Sequence, residues 1–111
     1  MKKYIWVTYQ FPGFHSYQNA PDEVAFLRNS HRHIFHIKVY IEVFHNDREI
    51  EFILFKDFIT NTCNNCLDKT DLGSCEMISD KLYSYINKTY PNRSIKIIVS
   101  EDNENGCECI Y

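Results

Sequence analysis

His31 and His33 stand two residues apart at the head of an alternating run that extends to Phe44. On a strand, residues two apart leave the same face, roughly 7 Å apart at the backbone, so their imidazoles can converge on one ion. A zinc ion with an open position takes three protein ligands. His15, just beyond a first alternating segment and its Pro12-Gly13 pair, is placed to arrive from a neighbouring strand end. Three neutral imidazoles and one water would then complete a tetrahedron. Alone, a His-x-His pair on a surface strand is more often merely solvated, so the case rests on His15 and on the wider pattern. His36 falls on the opposite face and His45 in a turn, so neither joins the metal.

Thiols offer a second ligand set. Cys63-x-x-Cys66 with Cys107-x-Cys109 would make a four-thiolate zinc site, but Cys-x-Cys is tightly spaced and the pairs lie far apart in the chain. Cys75 reads as a buried helix residue, since nothing near it in sequence would lower its pKa. Five cysteines, an odd number, with no export signal are expected to be reduced thiols in a cytoplasmic protein.

These candidates must be positioned by strands. Residues Lys3 to Phe11 alternate Ile5, Val7, Tyr9 and Phe11 against Tyr4, Trp6, Thr8 and Gln10, and Pro12-Gly13 is expected to end that strand. Phe14 to Ser30 reads as a long ordered loop, with a turn at Asn19 to Asp22 and one helical turn at Glu23 to Leu27. His31 to Phe44 is the strongest strand, with His31, His33, Phe35, Ile37, Val39, Ile41 and Val43 on its core face. Turn residues His45 to Arg48 and renewed alternation at Glu49 to Leu54 predict a β-hairpin over residues 31 to 54. A short helix is expected at Phe55 to Thr62, then a loop to Gly73. Ser74 is a good N-cap for a helix whose stripe is Cys75, Ile78, Leu82, Tyr85, Ile86 and Thr89. Pro91-Asn92 closes it, and strands at Ser94 to Ser100 and Cys107 to Tyr111 finish the chain. Strands before and after a helical middle give the α+β class: an antiparallel sheet with helices packed on one face, in a single domain over residues 1 to 111.

Composition bounds the partners. The chain has 111 residues, is 44% apolar and 24% charged, and carries a net charge of −3 with its lysines and arginines scattered singly. That leaves no electrostatic footprint for nucleic acid. The N-terminal apolar stretch alternates and contains Gln10 and Pro12, which suits neither a signal segment nor a membrane span. A chain of this length buries one core, and a subunit interface is expected to add stability.

Further motifs extend the pattern. Phe11-Pro12-Gly13-Phe14-His15 resembles Phe-x-x-x-His, and His31-Arg32-His33-Ile34-Phe35 resembles His-Gly-His-x-Tyr, of the 6-pyruvoyltetrahydropterin and 6-carboxytetrahydropterin synthases. Glu51-Phe52-Ile53-Leu54-Phe55-Lys56 is similar to their Asp-Phe-x-x-Leu-Lys, and Ser74-Cys75-Glu76-Met77 to the Thr-x-Glu-Asn that opens their long helix. Val99-Ser100-Glu101, with Gly106-Cys107 and Tyr111, is similar to the strand whose glutamate anchors the pterin ring. The resemblance covers nearly the whole chain. It implies the tunnelling fold (T-fold) joined through sheet edges into trimers or hexamers, zinc on His15, His31 and His33, a pterin- or purine-like ligand, and lyase-type synthase chemistry.

It also implies that Glu101 anchors the heterocycle. A carboxylate presents two acceptor oxygens side by side, which match the paired N–H donors of an amino-pyrimidinone edge. Glu104 and Glu108 read as solvated acids. Two positions depart from the family. No cysteine occurs in Ala25 to Ser30, ahead of the histidine pair, and Leu67-Asp68-Lys69 replaces the family's Leu-Asp-His. Asp68, Lys69 and Glu23 are therefore the proton-transfer candidates, and a lysine in that role needs a pKa lowered by burial. The alternative expectation is a binding protein that sequesters a pterin- or nucleotide-like molecule without turnover.

Overall fold

A computed structural model describes residues 1–111. Its strands are β1 (Lys3–His15), β2 (His31–Val43), β3 (Ile95–Glu101) and β4 (Asn105–Ile110), and its helices are α1 (Phe52–Cys66) and α2 (Cys75–Thr89). The strands form one antiparallel sheet in the order β1-β2-β3-β4. Both helices lie between β2 and β3 in sequence and pack on one face of the sheet, α1 against β1 and α2 against β3. The expected α+β class is what the chain adopts. No helix is long and apolar enough to cross a membrane.

Period-2 alternation builds the core. Odd-numbered residues of the first three strands face the helices: Val7 and Phe11 on β1, Phe35, Ile37, Val39 and Ile41 on β2, Ile95, Ile97 and Val99 on β3. They meet Phe55, Ile59 and Cys63 of α1 and Cys75, Ile78, Leu82 and Ile86 of α2 in one cluster. Each such aliphatic or aromatic side chain contributes about 1.5–3 kcal/mol by leaving water. Even-numbered residues make the bare face, where the Lys38 ammonium lies 4.1 Å from the Trp6 ring centre.

Strand β1 runs past Pro12-Gly13 to His15, longer than its sequence implies. The reason lies in which way its backbone groups point. Phe14 donates its N–H to the Lys69 carbonyl and accepts from Leu72 N–H on the outer edge, so even positions of β1 face away from β2. Pro12 is even, and its missing N–H costs no ladder bond. Gly13 is odd and faces inward, where a Cβ would lie 2.4 Å from Leu72 Cδ1. Proline and glycine here admit the loop that covers the strand's end.

The hairpin expected over residues 31 to 54 does not form. β2 pairs with β1 and β3, and Glu49 to Leu54 is not a strand. Glu51 instead caps α1, its carboxylate accepting the Leu54 N–H at 2.9 Å, and helix begins at Phe52. Of the alternating Ile50, Phe52 and Leu54 only Ile50 is buried, and Phe52 and Leu54 lie exposed in the first turn of the helix. α1 also runs four residues beyond the expected Thr62, because Phe55, Ile59, Thr62 and Cys63 form a helical stripe that its asparagines disguise. Helix α2 starts after Ser74, whose hydroxyl accepts the Met77 N–H. Its last expected core residue, Thr89, is exposed, while Ser79 is buried with its hydroxyl 2.8 Å from the Tyr111 hydroxyl. The segment expected as a loop contains a 3₁₀ helix, Asp22–Arg28.

Candidate metal centre

The core stripe changes character at one end of the sheet. His15 sits opposite His31 across β1 and β2, Gly13 opposite His33, and Phe35 opposite Glu101 across β2 and β3. All four polar residues are odd-numbered, so they continue the core face beyond Phe11, Phe35 and Val99. His15 and His33 stand edge-on to Phe35, with ring centres 5.3 and 5.8 Å away. The three imidazoles are mutually edge-on, with centres 4.5 Å (His15–His31), 5.1 Å (His15–His33) and 5.0 Å (His31–His33) apart.

Each imidazole is fixed through its Nδ1. That atom lies 2.7 Å from the Gly73 carbonyl in His15, 2.8 Å from the Asn29 carbonyl in His31 and 2.7 Å from Asp102 Oδ2 in His33. Carbonyls and carboxylates only accept, so each Nδ1 carries the hydrogen and each neutral ring presents the lone pair of Nε2. One potential ligand atom from each of the three rings lies within 4.8 Å of the other two. Tetrahedral zinc with Zn–N bonds of 2.0–2.1 Å spaces its nitrogens by about 3.4 Å, which modest ring rotation reaches. The donor set fits such an ion, and fixing ring nitrogens by a second shell of oxygens is how protein metal sites are ordinarily built.

Asp102 is the residue that sequence reasoning missed. It follows β3 in a left-handed conformation, φ 56°. Its N–H donates to the Ile34 carbonyl at 2.7 Å, and its Oδ1 accepts the Ile34 N–H at 2.8 Å. The Ile34 N–H and, after it, His33 hold its carboxyl below the usual range. A Glu-Asp-Asn run after a strand is a turn signal, and it carries no mark that the aspartate reaches a histidine 69 residues away.

Glu101 Oε2 lies 3.1 Å from His15 Nε2 and 3.8 Å from His33 Nε2, so the fourth expected site residue joins the three histidines. A cavity of about 640 Å³ opens beside them, walled by Tyr17, Leu27, Ser74, Cys75, Glu76 and Met77. That volume suits a heterocyclic ligand. Burial, with the Glu101 charge next in weight, pushes the Cys75 thiol up to about 12, so it stays protonated.

The three proton-transfer candidates have partners of their own. Asp68 accepts from the Thr70 hydroxyl and N–H, which hold its carboxyl low. Lys69 donates to Asn64 and sits 5.0 Å from the Phe11 ring centre. Glu23 is exposed on the 3₁₀ helix. None of the three bonds to a histidine of the cluster. The cysteines do not assemble either: Cys63 is buried in α1 with its thiol pushed up to about 12, while Cys107 and Cys109 lie on β4 with sulfurs 3.9 Å apart. Compared with models of known protein families and with curated proteins, the chain finds no match in either.

Proposed function

We propose that the chain is a zinc-binding protein of the 6-pyruvoyltetrahydropterin and 6-carboxytetrahydropterin synthase type, which takes a pterin- or purine-like heterocycle in the cavity beside His15, His31 and His33. One observation carries this reading: three imidazoles, each anchored through Nδ1 to an oxygen and so left with Nε2 free, bring one potential ligand atom apiece within 4.8 Å of the others. Three such donors suit a cation held among them. When bound, zinc supplies a Lewis acid for an oxygen of the ligand. The chain's own residues do the rest. Asp102 orients His33, Tyr17 and Leu27 line the cavity, and Glu101 offers paired acceptors to the heterocycle's amino-pyrimidinone edge.

The order of four sequential antiparallel strands, with two helices between the second and third, supports the tunnelling fold. β1 and β4 are both sheet edges, which supports joining of subunits edge to edge into a trimer or hexamer. Five free cysteines support a reducing, cytoplasmic setting. Lyase-type turnover would draw on Asp68, Lys69 or Glu23. The engagement of Lys69 by Asn64 and Phe11 favours the second reading, a protein that binds the heterocycle without turning it over.

The test is metal content per chain by plasma mass spectrometry, wild type beside His33→Ala, followed by titration with pterins and guanine nucleotides. About one zinc in wild type and little in the variant is expected. Wild-type protein purified without chelators that takes up no zinc would end the proposal.

A further inference from the structure

We propose that Glu101 is a fourth protein donor to the metal in the ligand-free protein, closing the centre as three imidazoles and one carboxylate. The inference rests on the tri-histidine reading above and adds to it. His15 Nδ1 donates to the Gly73 carbonyl, which leaves Nε2 as the atom that faces Glu101 Oε2 at 3.1 Å, and the same oxygen lies 3.8 Å from His33 Nε2. A ring nitrogen and a carboxylate oxygen at that separation are held together by a cation between them, a proton or a metal ion, and the two further imidazoles make the place one for a metal. The carboxylate has little else to hold it there, since its one side-chain hydrogen bond is a 3.4 Å contact from Asn105 Nδ2 to Oε1. Its backbone is fixed instead. Glu101 pairs with Phe35 across the sheet, and its neighbour Asp102 is bonded twice to Ile34. Oε2 is thus delivered by the ladder to the Nε2 atoms of His15 and His33.

The consequence is a self-capped centre. An oxygen-bearing ligand must displace Oε2 to reach the metal, and the displaced carboxylate is then free to receive an N–H edge of that same ligand. A molecule with both features recovers what it breaks, whereas a simple anion has only the first. The site thereby discriminates by coupling metal access to ring recognition.

The experiment uses the full chain loaded with Co(II), whose visible absorption reports coordination, and azide as the probe of an open position. Wild type is compared with Glu101→Ala and with the shape-preserving Glu101→Gln. Half-saturation by azide is expected at about tenfold or more lower concentration in both variants than in wild type, with Co(II) affinity reduced by a similar factor. Equal azide and Co(II) affinities in all three proteins would overturn the role of Glu101 while leaving the histidine site intact. Co(II) uptake by His33→Ala equal to that of wild type would instead remove the tri-histidine reading, and this inference with it.

Discussion

Replacing Asp102 by asparagine changes one atom of the side chain and should cost the metal site far more than the fold. Asparagine tolerates the left-handed backbone at this position, φ 56°, so the turn survives. The two carboxylate oxygens have separate partners, Oδ1 the Ile34 N–H at 2.8 Å and Oδ2 the His33 Nδ1 at 2.7 Å. An amide has one acceptor and one donor group. If its oxygen stays with Ile34, its NH₂ meets His33 Nδ1 and can only donate. Nδ1 then becomes the acceptor, the ring proton moves to Nε2, and the lone pair the metal needs is blocked. The flipped amide would set NH₂ against the Ile34 N–H, so the first arrangement satisfies more bonds and is favoured. Losing a histidine-orienting carboxylate lowers metal affinity by about 10–100-fold. Competition with a chromophoric chelator measures this directly, and the metal-free variant should melt close to wild type because its hydrogen bonds are met. Zinc affinity within about twofold of wild type would refute the reasoning that Asp102 sets the His33 tautomer.

Phe35 is fully buried, stacked on Phe11 with ring centres 6.0 Å apart and in contact with two of the histidines. Phe35→Ala should destabilise the protein by about 3–5 kcal/mol in urea unfolding, and a loss under about 1 kcal/mol would contradict its place in the core. A Cβ at Gly106 would lie 2.1 Å from the Val99 carbonyl oxygen and 2.5 Å from Ser100 Cα, so Gly106→Ala should push β4 off β3 and speed amide exchange along β4. Glu49 has its carboxyl lowered from 4.5 to about 2, chiefly by the hydrogen bond from Arg93 and then by the Phe44 N–H. A lowered folded-state value stabilises above the unfolded value and is lost on acidification, so part of the stability should vanish as pH falls from about 4.5 to about 2. Arg93→Met should flatten that limb of an acid titration followed by circular dichroism.

What could be read from residues alone was whatever repeats. The alternation of β2 and the stripe of α2 are periodic signals over 13 and 15 residues, and both elements lie where the periodicity puts them. Misreadings fall where one residue's backbone direction decides. Pro12 ends a strand only if its nitrogen faces the partner, and nothing in the chain around it tells which way it faces. Glu51 looks like one step of an alternating strand until its carboxylate is seen capping a helix. In the site, His15, His31 and His33 were visible as types and spacing, and Glu101 only through the family resemblance. The clasp of Asp102 on His33 depends on a turn folding back beside β2, a long-range event without a local mark. The partners of Asp68 and Lys69, Thr70 and Asn64, are of the same kind, fixed by a loop that joins the outer edge of β1.

The four site residues occupy odd positions of three strands, on the face that also buries the core. Parity therefore acts as an inheritance rule for this sheet. A single inserted or deleted residue in β2 between His33 and Phe35 would leave the hydrophobic stripe facing the helices and turn both histidines out to the bare face, giving a folded chain deaf to metal. Two residues gained there would restore the face but slide the imidazoles two residues along the ladder, away from His15 and Glu101. Strand lengths are thus held by the centre as well as by the core, and relatives that keep the centre should differ in length in the loops between strands and not within them.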